Sequence, residues 1–233
     1  MRAAQLERDF TDASPAEIVA AVAGGQMVGR IALVSSFGAD AAVMLHLVSV
    51  AAPDTPVLFI DTLRHFPETL AYRDQMVARL GLTDVRSVTP PATEVARRDP
   101  DLSLAGSDPD ACCGFRKAAP LDAALSGFDA WLTGRRRAQA ATRAALAVFD
   151  SDGRHIKVNP LARLTDDDID AYVWLHGLPR HPLVAQGYRS IGCAPCTANQ
   201  AGLANPRDGR WQGAGKTECG IHRPSPSQTT APS

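Results

Sequence analysis

The sequence predicts an α/β protein: a doubly wound, mainly parallel sheet followed by an irregular C-terminal segment. Three observations carry this. Short apolar runs stand at 31–34 and 56–60 with a third strand read at 84–88, helical stretches separate them, and beyond His181 periodic segments give way to Pro- and Gly-rich chain. Strands alternating with helices point to a parallel sheet, because a parallel crossover needs a connection about as long as a helix.

Taken in order, Ser14-Pro15-Ala16-Glu17 supplies an N-cap, a proline at the first helical position and a capping-box glutamate, so a helix starts there within an N-terminal helical lead (1–30). Residues 31–34 read as a buried strand, and Ser35-Ser36-Phe37-Gly38-Ala39-Asp40 turns the chain into a helix ending near Val50. A second strand ends at Asp61-Thr62. The helix 67–80 stops at Gly81, and a third strand follows at 84–88. Residues 99–111 lack periodicity and read as a loop. Next come a helix at 114–125, a strand at 130–133 and an Arg-rich helix from about Arg135. A hairpin is expected at 148–158 around Ser151-Asp152-Gly153. Thr165 and the three aspartates after it open another helix, the acids suiting the positive end of its dipole. These elements make one domain (1–222), and the Pro/Ser/Thr-rich stretch 223–233 is expected to be a disordered tail.

The 233 residues are 45% hydrophobic and 21% charged with a net charge of −1, an ordinary globular balance that argues against a general nucleic-acid binder. No apolar run approaches the roughly 18 residues of a membrane span. The charged N-terminus lacks the apolar stretch of a signal peptide, so a cytoplasmic protein is expected. In that compartment five cysteines read as metal ligands or reactive groups before disulfides.

Four of them form two pairs, Cys112-Cys113 and Cys193-Ala194-Pro195-Cys196, about 80 residues apart. Adjacent cysteines seldom both ligate one tetrahedral zinc. A larger iron–sulfur cluster tolerates adjacency better, so a four-thiolate cluster is favoured and zinc stays open. The fifth, in Glu218-Cys219-Gly220-Ile221-His222, has Lys216 and His222 close in sequence, and cations beside a thiol favour thiolate. An accidental cysteine in a tail is the plain alternative. The loop at 35–40 offers backbone amides at a helix start, an anion site or an ordinary turn, and lacks the Gly-Lys-Ser/Thr of a P-loop. Lys117, Arg135, Arg136, Arg137, Arg143, Arg207 and Arg210 are candidate oxyanion ligands or a solvated face. Asp61-Thr62 ends a strand where such sheets place ligand contacts. His65, His155, His176 and His181 show no metal-ligand spacing and read as structural or surface residues.

With these motifs together, the chain resembles the assimilatory sulfonucleotide reductases, in particular the iron–sulfur type that acts on adenylyl sulfate. Five segments carry the likeness: 35–40, Asp61-Thr62 with 65–69, Cys112-Cys113 with Arg116-Lys117, 190–197 and 216–222. The resemblance implies an adenine nucleotide α-hydrolase-like fold and a [4Fe–4S] cluster on Cys112, Cys113, Cys193 and Cys196. It implies Cys219 as nucleophile in a C-terminal catalytic segment (about 205–222), with Lys117 and His222 beside it. Substrate contacts would come from Ser35, Ser36, Phe37, Gly38, Asp61, Arg136, Arg207 and Arg210. The implied reaction cleaves adenylyl sulfate to AMP and sulfite through a cysteine S-sulfonate, with thioredoxin or glutaredoxin supplying the electrons, in sulfate assimilation and cysteine biosynthesis. Neither nucleic acid nor membrane is an implied partner, and homo-oligomerisation is left open. Two departures stand out: Leu63 where the family often has glycine, and Gln139-Ala140 where a Gln-Ser pair is common. The alternatives are reduction of 3′-phosphoadenylyl sulfate, an iron–sulfur tRNA-thiolation enzyme of related fold, and a non-catalytic zinc module.

Overall fold

Alternation inside the short apolar runs divides the molecule into layers. Side chains of successive strand residues point to opposite faces. In the computed structural model, which describes residues 2–24, 26–203 and 205–222, Ile31 and Leu33 join one core while Ala32 and Val34 join another. Val57 and Phe59 repeat the first set, Leu58 and Ile60 the second, and Trp131 stands against Ala130 and Leu132 in the same way. Strands apolar on both faces must be covered on both faces, which parallel crossovers achieve.

The chain begins with α1 (Arg2–Asp9) and α2 (Pro15–Ala23), the latter started by the expected Ser14–Glu17 capping box. It then winds through β1 (Ile31–Ser35), α3 (Ala41–Ala51), β2 (Val57–Ile60), α4 (Pro67–Leu80) and β3 (Val85–Val88). Gly81 ends α4 in the left-handed region, φ 62°, a conformation glycine adopts at little cost. The first crossovers are followed by α5 (Ala92–Arg98), α6 (Leu104–Ser107), α7 (Pro109–Cys113), α8 (Ala119–Leu125) and β4 (Ala130–Leu132). The expected hairpin is β5 (Phe149–Ser151) with β6 (Ile156–Val158), and α9 (Asp166–Leu175) begins at Thr165 through a capping box with Asp168.

The sheet order is β3-β2-β1-β4-β6-β5, with every pairing parallel except that of β5 with β6. The chain leaves β1 toward β2 and β3, then returns to place β4 on its other side. Beyond the C-terminal ends of β1 and β4 a crevice therefore opens, the position where doubly wound sheets bind ligands.

Two sequence expectations are corrected. The aperiodic stretch 99–111 contains α6 and the first part of α7, and the helix expected at 114–125 starts earlier, at Pro109, passing through a π-turn at Gly114–Ala118. No long Arg-rich helix follows β4: Arg136 and Ala140 are extended, leaving two short 3₁₀ turns, Arg137–Gln139 and Ala141–Arg143. The arginine side chains there reach acceptors in different directions, and those tertiary contacts outweigh helix propensity. The expected tail, 223–233, lies outside the described residues.

Candidate active site

The crevice is a cavity of about 440 Å³. One wall is the turn after β1. Ser35 Oγ accepts the Phe37 amide at 3.1 Å, which folds the turn back on itself, and Phe37 takes a left-handed backbone (φ 48°). Its ring leaves the cavity for the core, edge-on to Phe59 at 5.4 Å. Ser36 and Gly38 are left facing the cavity. A Cβ on Gly38 would lie 3.0 Å from the Ile191 carbonyl oxygen, so this turn and the loop bearing Cys193 approach backbone to backbone.

Asp40 starts α3 without a side-chain capping bond, because its carboxylate is used elsewhere. Arg136 Nη2 donates to Asp40 at 2.7 Å and to Asp166 at 2.8 Å, and Gln139 Nε2 donates to Asp40 at 3.1 Å. Burial opposes the Arg136 charge, but the two carboxylates hold it above its ordinary pKa. Arg136 thus lines the cavity with its charge already matched. Asp61 lies away from the cavity lining, where its carboxylate accepts the Leu63 amide at 2.9 Å.

The second wall gathers the cysteines. Cys112 and Cys113 sit on α7, while the Cys193 loop is tied to the chain after β2 by a bridge to His65 and by the Ala194 amide donating to the Arg64 carbonyl. All four thiols are free, buried and packed in one cluster with Ala105 and Trp211, and Cys219 leans against it. Thr62 Oγ1 lies 3.1 Å from Cys193 Sγ. Behind it the buried Arg116 donates to the Thr62 carbonyl at 3.0 Å and to the buried Asp99 at 2.7 Å. Burial and the neighbouring thiols push Cys112 up to about 11, and burial raises Cys113 and Cys196 as well. Cys193 goes down: burial resists its charge, but Lys117, Thr62 and Arg210 outweigh that. Four buried thiols that resist joint ionisation form a donor set suited to a bound metal group, whose positive charge would make all four thiolates.

Lys117 stands on the π-turn between the cysteines and the cavity. Burial disfavours its charge, yet Cys193 and Cys219 keep its pKa above the ordinary lysine value. Burial, then Arg143, lowers both Arg135 and Arg207 to about 10, which leaves them charged at neutral pH. Arg210 lies over the Trp211 ring at 4.4 Å and donates from Nε to the Cys196 carbonyl at 3.1 Å.

The third wall is the C-terminal segment. Lys216 pairs with Asp110, Glu218 with Arg143 and Arg207, and His222 stacks on Trp131. Between these attachments Cys219 is half-buried and lines the cavity. Burial, with Arg135 and Arg143 nearby, holds the His222 pKa well below 6.5, so the ring is neutral.

The structure thus brings together Ser35, Ser36, Gly38, Lys117, Arg136, Arg207, Arg210, Cys219 and His222, and it turns Phe37 and Asp61 away from the cavity lining. Sequence reasoning passed over His65 and Glu218 here, and it named Arg135 only within a group of cations. His65, read as structural, lines the cavity; Nε2 donates to the Ile60 carbonyl at 2.8 Å, and Nδ1 is buried without a protein partner. Its position just after a strand's C-terminal end was the available signal. Arg135 carries no ion pair among the described residues, which a run of three arginines does not reveal. Glu218 holds the C-terminal segment, and only its place beside Cys219 hinted at that.

Residues 30–199 match the phosphoadenosine phosphosulfate reductase domain. The chain belongs to that family of sulfonucleotide reductases. A relative from Mesorhizobium japonicum named adenosine 5′-phosphosulfate reductase is 48% identical over 221 residues, spanning 95% of this chain and 87% of its own. Among solved structures, the phosphoadenylyl-sulfate reductase from Candida auris, a phosphate complex, superposes with a TM-score of 0.72 at 28% identity, covering 84% of this chain and 96% of that one. An FMN adenylyltransferase from Candida glabrata, at 15% identity and a TM-score of 0.56 over 85% of this chain and 74% of that one, shares the fold alone. The family fold is thus the adenine nucleotide α-hydrolase-like sheet, as the sequence resemblance implied.

Proposed function

We propose that this reductase converts adenylyl sulfate to AMP and sulfite in sulfate assimilation, with Cys219 as its nucleophile. The observation that carries the reading is the placement of Cys219 in the wall of a cationic cavity, with Lys117 between it and four converging thiols. The turn at Ser35, Ser36 and Gly38 receives the nucleotide. Lys117, Arg207 and Arg210 match the phosphate and sulfate oxygens and hold the sulfur in line with the thiolate. Attack by Cys219 Sγ forms an S–S bond and breaks the S–O bond to AMP, which leaves with the electron pair once cations stabilise its phosphate. A dithiol of the thioredoxin or glutaredoxin type then attacks Cys219 Sγ, expels sulfite and closes to its own disulfide, so the dithiol is the source of both electrons. The neutral His222, stacked on Trp131, lines the same cavity as Cys219.

Cys112, Cys113, Cys193 and Cys196 would hold a [4Fe–4S] cluster. When bound, the cluster would be a net anion, its iron charge more than offset by sulfides and thiolates, so it would hold the Lys117 ammonium in place and fix that wall while Lys117 itself supplies the positive charge near the sulfate. Adjacent cysteines such as Cys112 and Cys113 seldom both ligate one tetrahedral zinc, which weighs against the zinc reading. Family membership weighs against tRNA thiolation. Among the described residues no helix is long and apolar enough to cross a membrane; a cytoplasmic setting, where thiols stay reduced, suits the chemistry.

The test is anaerobic incubation with sulfur-labelled adenylyl sulfate, or separately its 3′-phosphorylated form, without any dithiol. A sulfonate on Cys219 from adenylyl sulfate supports the reading, and Cys219→Ser should abolish it. Labelling by the 3′-phosphorylated form alone would keep the mechanism and change the substrate. No adduct with either, from protein holding its iron, would overturn the proposal.

A further inference from the structure

One carboxylate of the C-terminal segment is held by two guanidinium groups, immediately beside the cavity thiol. Arg143 grips Glu218 at two points, Nε to Oε1 at 2.7 Å and Nη2 to Oε2 at 2.8 Å. Arg207 Nη2 donates to the Thr217 carbonyl at 2.7 Å and to Glu218 at 3.3 Å, and Thr142 Oγ1 donates to Glu218 at 3.3 Å. The remaining Arg143 nitrogen, Nη1, donates to Gln139 Oε1. Every nitrogen of Arg143 therefore has an acceptor inside the protein, and its Nε–Nη2 fork is taken up by Glu218, although the residue lines the cavity.

We propose that Glu218 is a positioning residue: its carboxylate, clasped by Arg143 and Arg207, is the latch that holds Cys219 in the cavity. Opening the latch exposes the thiol. The inference rests on the reading of Cys219 as nucleophile for its purpose, though its geometry stands apart from any substrate.

The other attachments of the segment differ in kind. Lys216 pairs with Asp110, whose side chain is 73% exposed, so water and salt screen that contact. His222 and Ile221 lie beyond Cys219 and pack by stacking and apolar contact. The Glu218–Arg143 pair, with side chains 29% and 10% exposed, is better shielded and directly adjoins the thiol. Burial alone would raise the Glu218 pKa, but Arg143 and Arg207 bring it below the ordinary value, so the carboxylate stays charged at neutral pH. An ion-pair latch suits a thiol that must meet two partners in turn. It fixes Cys219 toward a small ligand in the cavity, and its two halves are rehydrated when the segment swings out to a protein dithiol. A wholly apolar anchor would resist that exposure.

The experiment measures alkylation of Cys219 in the full chain by iodoacetamide, anaerobically and with no nucleotide, read by peptide mapping from about pH 6 to 10, the range over which cysteine thiols in general lose their protons. The high-pH plateau reports exposure, while the midpoint reports thiolate formation. In both Glu218→Gln and Arg143→Gln the plateau should rise roughly tenfold, the change that follows from losing about 1.4 kcal/mol of closure. Glu218→Asp, which keeps the charge on a shorter arm, should fall between wild type and Glu218→Gln, and it serves if a neutral variant does not fold. A merely electrostatic role gives another pattern: removing the carboxylate favours thiolate and removing the guanidinium disfavours it, so the midpoints part in opposite directions over an unchanged plateau. That pattern overturns the latch. If the plateau rises as expected but Cys219 never accepts a sulfonate, the latch stands and the proposed function falls. Sulfonation of Cys219 with an unmoved plateau removes the latch and leaves the proposed function standing.

Discussion

The imidazole of His222 lies flat on the indole of Trp131, ring centroids 5.2 Å apart and planes inclined by 7°. Trp131 belongs to β4 and is almost wholly buried, so this stack ties the end of the C-terminal segment to the middle of the sheet. Ile221 packs onto the same apolar cluster. The stack is built from a neutral ring: burial, then Arg135, Arg143, Lys157 and Arg207, disfavours protonation.

A pH dependence of segment docking follows. With the docked pKa depressed below a free value of about 6.5, the undocked state binds more protons, so docking stability is complete above about pH 6.5 and is lost as pH falls below it. Hydrogen exchange of the 216–222 amides should quicken between about pH 7.5 and pH 5.5 more than that of β1 or β2, after correction for intrinsic rates. His222→Phe keeps a ring for the stack, worth about 0.5–1.5 kcal/mol, and should remove the extra acid sensitivity. Equal acid sensitivity in that variant would assign it to another group.

The buried pair Arg116–Asp99 is expected to be the costliest polar contact to break. Both side chains are almost inaccessible (1% and 0%), and Arg116 also donates to the Thr62 carbonyl beneath Cys193. Asp99→Ala leaves a buried guanidinium without its counter-charge, a loss of about 3–5 kcal/mol. For a domain of this size that is roughly a 10 °C drop in melting temperature. The same variant should retain less iron, because Thr62 and the Cys193 loop lose their support. A melting temperature within about 2 °C of wild type would contradict this account.

The middle of the sheet was legible because β1, β2 and β4 are apolar on both faces, and the helix ends were legible because Ser14, Gly81 and Thr165 act through local backbone chemistry. The cysteine convergence was suggested by two pairs in a chain expected to stay reduced, and the resemblance assigned the four ligands, since nothing in the distance between Cys113 and Cys193 dictates their meeting. Two features escaped. The stretch after β4 reads as a helix by propensity, yet Arg136 and Arg143 answer to carboxylates 96 and 75 residues away in sequence. The division of labour among the arginines is likewise set by partners rather than by residue type: Arg136 and Arg143 are neutralised, while Arg135 and Arg210 are not bound to carboxylates among the described residues. His65 was missed for a related reason, because its side-chain bond to the Ile60 carbonyl looks structural until the cavity on its other side is seen.

Gly192 offers the sharpest separation of fold from site. A Cβ at this position would sit 2.6 Å from Arg210 Cζ and 2.8 Å from Nη1, closer than real contacts allow. The obstructing atoms are the far end of a flexible side chain, so the guanidinium can move while the backbone stays. Gly192→Ala should therefore leave the fold nearly unchanged and push Arg210 off its place beside the cavity, breaking its bond to the Cys196 carbonyl. One charge-assisted hydrogen bond to a substrate oxyanion is worth about 1.5–3 kcal/mol. The KM for adenylyl sulfate should thus rise by roughly 10- to 100-fold, with the melting temperature within about 2 °C of wild type. Arg210→Gln should raise KM similarly, and the double variant should be no worse than either, since one guanidinium cannot be lost twice. An unchanged KM in Gly192→Ala would mean that Arg210 serves the cysteine loop rather than the substrate.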